Sequence, residues 1–321
     1  MRTWPVPVGP VLHWPVPVGS VPPAVARMPP LDHLVARRAV LVPATATRSS
    51  ARPRAAGGTA RRRRYGPTSA LDRRSGRYPR PVFSPNGPSL RELCVQALSS
   101  VERGYDLLAP KFDYTPFRTP DSVLGATAQA LSELGSFDRG LDVCCGTGAG
   151  MQVLRSLCRE GTTGVDFSAG MLAQARRAHP DASWVRADAR ALPFTEGFDL
   201  AVSAGALGHF LPVERPALFG GVYRALRPGG IFAVPIGTGP PRTSVSHWVT
   251  RGFDLAMRVR NAVWRPPFVM YYHTTGLAAL RGDLTAVGFT VTDTALTVLG
   301  QHRDGSPRFR LILAGKPAAS Y

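Results

Sequence analysis

Short apolar segments alternate with longer amphipathic segments from residue 139 onward. Helical spacing fills the intervals between five segments that predict buried strands: 141–145, 163–166, 183–186, 199–203 and 231–235. Such alternation is typical of a parallel sheet with helices on both faces. Two more predicted strands, 289–299 and 309–314, are separated only by a turn, so they must pair antiparallel at one edge. We therefore predict an α/β fold whose seven-stranded sheet is mostly parallel and ends in an antiparallel hairpin.

Helical periodicity also precedes the sheet. From Ser89 onward, apolar residues recur at the spacing of one helix face, at Leu90, Leu93, Cys94, Ala97 and Leu98. A second helix is predicted from Asp121 to Leu134, because Asp121 can cap its start and Gly135 can end it. These patterns predict a helical segment in front of the sheet.

Residues 1–88 have a different composition. The segment Trp4–Gly9 recurs as Trp14–Gly19, prolines interrupt the apolar residues, and the run Arg61–Arg64 follows. Too few large apolar side chains are present to offset the entropy that is lost on ordering. We predict a disordered Pro/Arg-rich extension at 1–88 and one domain at 89–321, with its core at about 138–316. Four interpretations of the extension are compatible with this composition: a targeting peptide, a nucleic-acid-binding tail, a partner-binding arm, or a segment without a role.

The net charge of +18 is concentrated in that extension. Residues 1–90 contain 15 arginines and two aspartates, a net +13, and the remaining residues carry only +5. This distribution argues against nucleic acid as a partner of the folded part. The four cysteines include no Cys-x-x-Cys pair, so neither a disulfide framework nor a metal site is expected. Because the sequence has no membrane-spanning apolar stretch and no convincing secretory signal, we expect a cytoplasmic protein.

A glycine-rich turn follows the first predicted strand, in the segment Leu141-Asp-Val-Cys-Cys-Gly-Thr-Gly148. Such a turn lets the backbone approach a ligand closely, and the start of the next helix favours negative charge. Asp166 ends the second strand, 20 residues after Gly146, where nucleotide-binding βαβ units place the acidic residue that binds ribose. A dinucleotide fingerprint would need a third glycine where Met151 stands, so a nicotinamide cofactor is disfavoured.

This block resembles motif I of class I S-adenosylmethionine (SAM)-dependent methyltransferases, and further segments agree in the expected order. They are Gly164–Leu172, Arg186–Phe194, Phe198–Ser203 and Leu226–Ile231. In addition, Tyr105–Asp113 is similar to the N-terminal lid segment of the ubiquinone/menaquinone-like, type 11 branch of the family. The resemblance covers roughly residues 100–316. It implies a Rossmann-like fold with an N-terminal helical lid, SAM as cofactor, and in-line displacement of its methyl group by a C, O or N atom.

The resemblance also implies the cofactor contacts. They are Asp142, Gly146, Thr147 and Gly148 around the methionine part, Asp166 on the ribose with Phe167 against the adenine, and Asp188 on the adenine beside Ala189. For each acidic residue, the alternative is a carboxylate that caps a helix or a turn. The chain departs from the family's G-x-G-x-G pattern at Cys144, which stands where the first glycine is expected. A similar Cys-Cys-Gly-Thr-Gly run occurs in some members of the quinone branch.

The acceptor side is less clearly marked. His209 follows the fourth strand, at the sheet edge where substrates bind, and its ordinary pKa near neutrality suits a general base or an acceptor contact. A structural histidine is the alternative. Aromatic residues of the lid segment and of an insertion at 243–277 are candidate acceptor contacts or simply core, and the candidates are Tyr105, Tyr114, Trp264 and Tyr271.

Together these features predict a SAM-dependent methyltransferase that acts on a small, apolar or aromatic metabolite. The alternatives are a nucleic-acid methyltransferase and a non-catalytic SAM-binding module. Nucleic-acid enzymes that act on exocyclic amines often carry an Asn/Asp-Pro-Pro-aromatic motif after the fourth strand, where this chain has Ser203-Ala-Gly-Ala206. The sequence does not indicate an oligomeric state.

The composition of residues 1–88 leads to a first prediction. A chain that starts near Pro88 should keep the melting temperature and the SAM affinity of the full chain, because the segments that carry the resemblance lie beyond residue 100. Scanning and titration calorimetry measure the two quantities. Loss of either would mean that the extension packs on the domain.

Overall fold

The computed structural model describes residues 84–239, 243–265, 267–272 and 276–319. Most of the predicted extension, residues 1–83, lies outside these ranges. Within them, seven strands form one sheet in the order β3-β2-β1-β4-β5-β7-β6. The strands are β1 (Phe137–Val143), β2 (Cys158–Asp166), β3 (Ser183–Arg186), β4 (Phe198–Val202), β5 (Leu226–Gly237), β6 (Thr290–Ala295) and β7 (Phe309–Gly315).

Strands β1 to β5 are parallel, and β7 lies antiparallel between β5 and β6. The predicted α/β fold, with a mostly parallel sheet and a C-terminal antiparallel pair, is confirmed. The strand order reverses between β1 and β4, because the chain leaves edge strand β3 and returns beside β1. In open α/β sheets, ligands bind outside the carboxyl ends of the strands at such a reversal.

Helices cover both faces of the sheet. The described ranges contain α1 (Leu90–Leu98), α2 (Val101–Leu108), α3 (Asp121–Ser132), α4 (Met151–Leu157), α5 (Ala169–Ala178), α6 (Arg215–Ala225), α7 (Val245–Val263) and α8 (Leu277–Val287). Apolar side chains of α3 and α4 pack in one core, and those of α6 and α8 pack in the other. Alternate residues of β4 serve the two cores: Leu200 and Val202 belong to the first and Ala201 to the second.

Several predicted boundaries differ from the structure. The predicted strand 289–299 ends at Ala295, because residues 297–299 form a 3-10 turn that Gly300 closes with a φ of 87°. Strand β5 begins at Leu226 rather than at residue 231, and β2 begins at Cys158, directly after α4, rather than at residue 163. None of these differences changes the order of the elements.

The helix that follows Ser89 is confirmed, but its apolar face is largely exposed. Ser89 and Glu92 form a reciprocal capping box at the start of α1. Leu90 and Leu98 are nevertheless 64% and 50% exposed, whereas Gln96 is buried. Helix α1 packs on α2 rather than on the sheet, and the close approach of Gln96 to Gly104 determines which face turns inward. Among the described residues, every helix is too short or too polar to cross a bilayer.

Candidate active site

A cavity of about 610 Å³ opens at the carboxyl ends of the parallel strands, beside the reversal of strand order. The glycine-rich turn after β1 forms its floor, and the lid, defined here as residues 90–114, borders it on one side. The turn after β4 and a short segment at 267–272 border it on the other. A volume of this size is typical of a site for a small molecule or cofactor.

The glycine-rich turn reverses the chain by left-handed backbone conformations. Gly146 and Gly148 have φ values of 53° and 94°, and Cys144 has a φ of 59°. Glycine adopts this region without steric cost, whereas a side chain at Cys144 crowds the backbone. This position is the one at which the resemblance expects glycine. Burial raises the pKa of the Cys144 thiol, as it does for Cys145, so neither thiol is a ready nucleophile.

Asp142 lies beneath this turn with an incomplete set of hydrogen bonds. Its side chain borders the cavity and is only 2% exposed, and its Oδ2 has no hydrogen-bond partner among the described residues. A Cβ atom at Gly150 would lie 2.3 Å from the same oxygen, so only glycine leaves room for the carboxylate there. Burial, and secondly the charge of Asp166, raise the pKa of Asp142 to about 7. A buried carboxylate in this state calls for a cationic donor from the cavity.

Asp166 ends β2 and joins two turns. Its Oδ2 accepts a hydrogen bond from the Gly146 amide at 2.8 Å, and its Oδ1 accepts one from the Ser168 amide at 2.9 Å. Burial raises the pKa of this carboxyl, and the amide hydrogen bonds oppose that effect. Each carboxylate oxygen can accept a second hydrogen bond, so the group can also bind hydroxyls from the cavity that it borders. Phe167 borders the same cavity.

The lid is attached to the turns after β1 and β2 by two carboxylates that the sequence did not single out. The Thr147 hydroxyl donates to Asp113 of the lid at 2.7 Å. Asp106 accepts from the Ser168 hydroxyl at 2.6 Å and from the Gly170 amide, at the start of α5, at 2.8 Å. Both carboxylates lie within the segment that resembles a methyltransferase lid, which is the one signal that could have indicated them.

His209 and Tyr105 form a hydrogen-bonded pair on the cavity wall. The Nδ1 of His209 lies 2.7 Å from the Val269 carbonyl oxygen, which can only accept, so Nδ1 carries the proton in this arrangement. The Nε2 lone pair then accepts from the Tyr105 hydroxyl at 2.8 Å. Burial lowers the pKa of His209, which keeps the ring neutral near pH 7, and burial raises the pKa of Tyr105.

The segment 267–272 forms the wall of the cavity beside His209. The Tyr271 amide donates to the Gly208 carbonyl at 2.9 Å, so this segment crosses directly over the turn that carries His209. Asn261 of α7 donates to the Tyr271 hydroxyl at 2.9 Å and to the Phe268 carbonyl at 3.0 Å. Tyr271 and the neighbouring Met270 both border the cavity. The sequence pattern did not point to Asn261, whose partners lie seven and ten residues further along the chain.

The structure does not bring all predicted cofactor contacts together. Asp142, Gly146, Thr147, Asp166 and Phe167 border the cavity, whereas Gly148, Asp188 and Ala189 do not. The carboxylate of Asp188 pairs instead with Arg190 at 2.6 Å, and this hydrogen bonding lowers its pKa. The roles of these three residues in cofactor binding stay predictions.

The predicted acceptor contacts also divide into two groups. Tyr105, His209 and Tyr271 border the cavity. Tyr114 and Trp264 lie outside its walls and are 49% and 51% exposed, and the Trp264 indole donates to the Leu98 carbonyl at 3.2 Å. Sequence spacing could not separate the two groups, because the direction of each ring depends on how the lid and α7 pack.

The backbone of Cys144 leads to a stability prediction. Cys144→Gly should be at least as stable as the wild type, because the left-handed conformation costs an L-residue about 1–2 kcal/mol. Cys144→Val should lower the free energy of unfolding by roughly 1–2 kcal/mol, since a β-branched side chain is the least compatible with positive φ. Urea denaturation measures both values. A valine variant as stable as the glycine variant would show that this turn relaxes without strain.

Comparison with known proteins agrees with this geometry. The model of a methyltransferase-domain family matches residues 141–230. An uncharacterised methyltransferase of Synechocystis sp. is 41% identical over 97 residues, which cover 29% of this chain and 44% of the relative. A 2-phytyl-1,4-naphtoquinone methyltransferase of Thermosynechococcus vestitus is 35% identical over 144 residues, which cover 43% of this chain and 59% of the relative. The chain thus spans about half the length of these curated relatives.

The solved structure of a DhpI–SAH complex has the same fold. It superposes with a TM-score of 0.50 and 23% identity, over 70% of this chain and 99% of that chain. The segment matched by the family model runs from β1 into β5 and contains the glycine-rich turn together with both buried aspartates. Residues 141–230 thus match a methyltransferase domain, and these matches together with the geometry of the cavity support a class I SAM-dependent methyltransferase family.

Proposed function

We propose that this protein transfers the methyl group of SAM to a small, largely apolar or aromatic metabolite. The observation that carries the proposal is that one cavity contains a buried, unpaired carboxylate oxygen at one end and aromatic walls at the other. The carboxylate suits a cationic cofactor, and the aromatic walls suit an apolar acceptor. The Thermosynechococcus relative is named for a phytyl naphthoquinone, which is consistent with an acceptor of that kind.

The residues around the cavity fit SAM. Asp142 would accept from the ammonium group of its methionine part, and Asp166 has free lone pairs for the ribose hydroxyls. When bound, SAM supplies an electrophilic methyl carbon on a sulfonium that leaves without acid assistance. The protein then has two tasks, which are to align the acceptor and to exclude water. The lid and the segment 267–272 are placed for both.

We also propose that Tyr105 and His209 remove the proton of the acceptor. The phenol oxygen of Tyr105 can accept a proton from an acceptor hydroxyl while its own proton moves to Nε2 of His209. The resulting imidazolium keeps its Nδ1 hydrogen bond to the Val269 carbonyl. With SAM bound, the acceptor oxygen freed of its proton would be able to take the methyl group, and the electron pair of the broken carbon–sulfur bond would stay on sulfur. An acceptor with a removable proton, such as a phenol or a hydroquinone, would need this pair.

Two further expectations remain proposals. The four cysteines are free thiols, which suits a reducing, cytoplasmic setting. The extension at residues 1–88 would not take part in catalysis, because every side chain proposed to act on SAM or on the acceptor lies in the domain.

SAM affinity should depend on pH through Asp142. The folded pKa of Asp142 is raised to about 7, and the cofactor ammonium favours the ionised form, so affinity should rise with pH and level off above that value. We expect SAM to bind about tenfold more weakly at pH 6 than at pH 8. Titration calorimetry across this range measures the effect.

The matched variants make this test specific. Asp142→Asn should bind SAM weakly with little pH dependence, whereas Asp304→Asn, in the exposed turn before β7, should behave as the wild type. If the SAM affinity of the wild type stays constant between pH 6 and pH 8, Asp142 does not bind the ammonium group of SAM.

The Tyr105–His209 pair leads to a kinetic prediction. Tyr105→Phe and His209→Gln should each lower kcat by about 10²–10⁴-fold, because a general base contributes that much, and should leave SAM affinity nearly unchanged. The assay is transfer of labelled methyl from SAM to a panel of substituted phenols and hydroquinones. Tyr114→Phe, outside the cavity, is the control. The kcat of the wild type should fall at low pH as His209 gains a proton. If the two variants raise KM and leave kcat unchanged, Tyr105 and His209 bind the acceptor and do not remove its proton.

A further inference from the structure

Helix α7 has an inverted distribution of side chains. Three of its described side chains are buried, the polar His247 and Asp254 and the apolar Met257. Asn261 on the same inward face holds the segment 267–272. Its outward face is apolar along the whole helix, with six side chains that are 55–80% exposed: Val245, Trp248, Val249, Leu255, Val259 and Val263. We call these six residues the α7 face. A globular domain normally turns such a face toward its core.

The exposed apolar surface continues from α7 onto α1. The Trp264 indole donates to the Leu98 carbonyl at 3.2 Å, and Arg260 donates to the Ser99 carbonyl at 3.1 Å, so the ends of the two helices are in contact. Helix α1 shows the same inversion, because Gln96 is its buried residue while Leu98 is exposed. An apolar surface that extends over two helices marks a docking site rather than scattered exposure.

The charges beside the α7 face are positive. Arg251 and Arg258, two helical turns apart, follow one border of the face, and Arg260 follows the other. The one acidic residue in the sequence of α7, Asp254, is buried and accepts from the Tyr272 amide at 2.7 Å. An apolar stripe that contains tryptophan and is bordered by arginines is the pattern of a helix that lies in the plane of a membrane interface.

We propose that the α7 face docks on the surface of an anionic phospholipid bilayer. The helix would lie on the membrane, since it is too polar to cross it. Residues 1–83 carry 15 arginines and two aspartates, so they share the sign of the arginines beside this face and do not complement them. A second copy would bring these arginines against their equivalents. Anionic lipid offers the opposite charge together with an apolar interior, and the arginine-rich extension would add to the same attraction.

Docking in this way would place the cavity next to the bilayer. Thr250 of α7 borders the cavity, and the segment 267–272, held by Asn261, forms part of its wall. An apolar acceptor dissolved in the membrane would then be separated from the site by the width of one helix, about 10 Å. This consequence rests on the proposed function, but the docking itself does not, because it is measured without methyl transfer.

The test is co-sedimentation of the full chain with vesicles. The chain should bind vesicles of phosphatidylcholine with phosphatidylglycerol, and should bind phosphatidylcholine alone more weakly. Combined Val249→Ser, Leu255→Ser and Val259→Ser should lower the partition coefficient at least tenfold, because three apolar side chains no longer insert. The control is Val213→Ser with Val298→Ser, two valines that are more exposed than the three residues changed but lie away from α7, and it should bind as the wild type.

Tryptophan fluorescence tests the docking without replacing apolar side chains by serine. Brominated lipids should quench the emission of the full chain, and Trp248→Phe should remove a large part of that quenching. Binding of the triple variant at wild-type strength would overturn the proposal, since the arginine-rich extension would then carry the attraction. Absence of vesicle binding would overturn it too. A wild-type dimer in sedimentation velocity without lipid, absent in the triple variant, would assign the face to a second copy instead.

Discussion

Two carboxylates, Asp142 and Asp166, are buried at the ends of neighbouring parallel strands, and the rest of the site depends on how their charge is compensated. Asp166 receives two backbone amides, which tie the glycine-rich turn to the start of α5. Asp142 keeps one oxygen without a hydrogen-bond partner among the described residues, and its pKa rises to about 7. A cationic cofactor would complete this arrangement, so the protein stores a destabilising interaction that binding of the cofactor would relieve.

The need to accommodate these two carboxylates also explains the glycine and the left-handed residue in the turn around them. Gly150 has no side chain because the Asp142 carboxylate occupies that space. Cys144 takes a left-handed conformation so that the turn can bring the Gly146 amide to Asp166. The lid contributes two more carboxylates, Asp106 and Asp113, which bond to donors on the turns. The lid therefore contacts the turns after β1 and β2 and also places Tyr105 against His209.

On the acceptor side of the cavity, hydrogen bonds between neutral groups rather than buried carboxylates hold the wall in place. Here hydrogen bonds face inward: Asn261 bonds to Tyr271, and His209 bonds to the Val269 carbonyl. The apolar side chains of α7 face outward. The inversion has a local cause, since the carbonyls and amides of the segment 267–272 need hydrogen-bond partners and α7 supplies them. The apolar face that results is left without a partner within the described part of the chain. Catalytic closure and membrane docking would thus share one helix.

The sequence by itself determined the succession of strands and helices along the parallel core, the glycine-rich turn and the place of Asp142 and Asp166 at the strand ends, because these depend on periodicity and on short spacings along the chain. It did not determine which face of α1 is buried, since the contact between Gln96 and Gly104 is tertiary. It also could not separate Tyr105 and Tyr271 from Tyr114 and Trp264. All four are aromatic residues in segments near the site, and only the packing of the lid and of α7 decides which rings reach the cavity. The tertiary structure alone paired Tyr105 with His209, 104 residues further along the chain, because hydrogen bonds between distant elements leave no periodic signal.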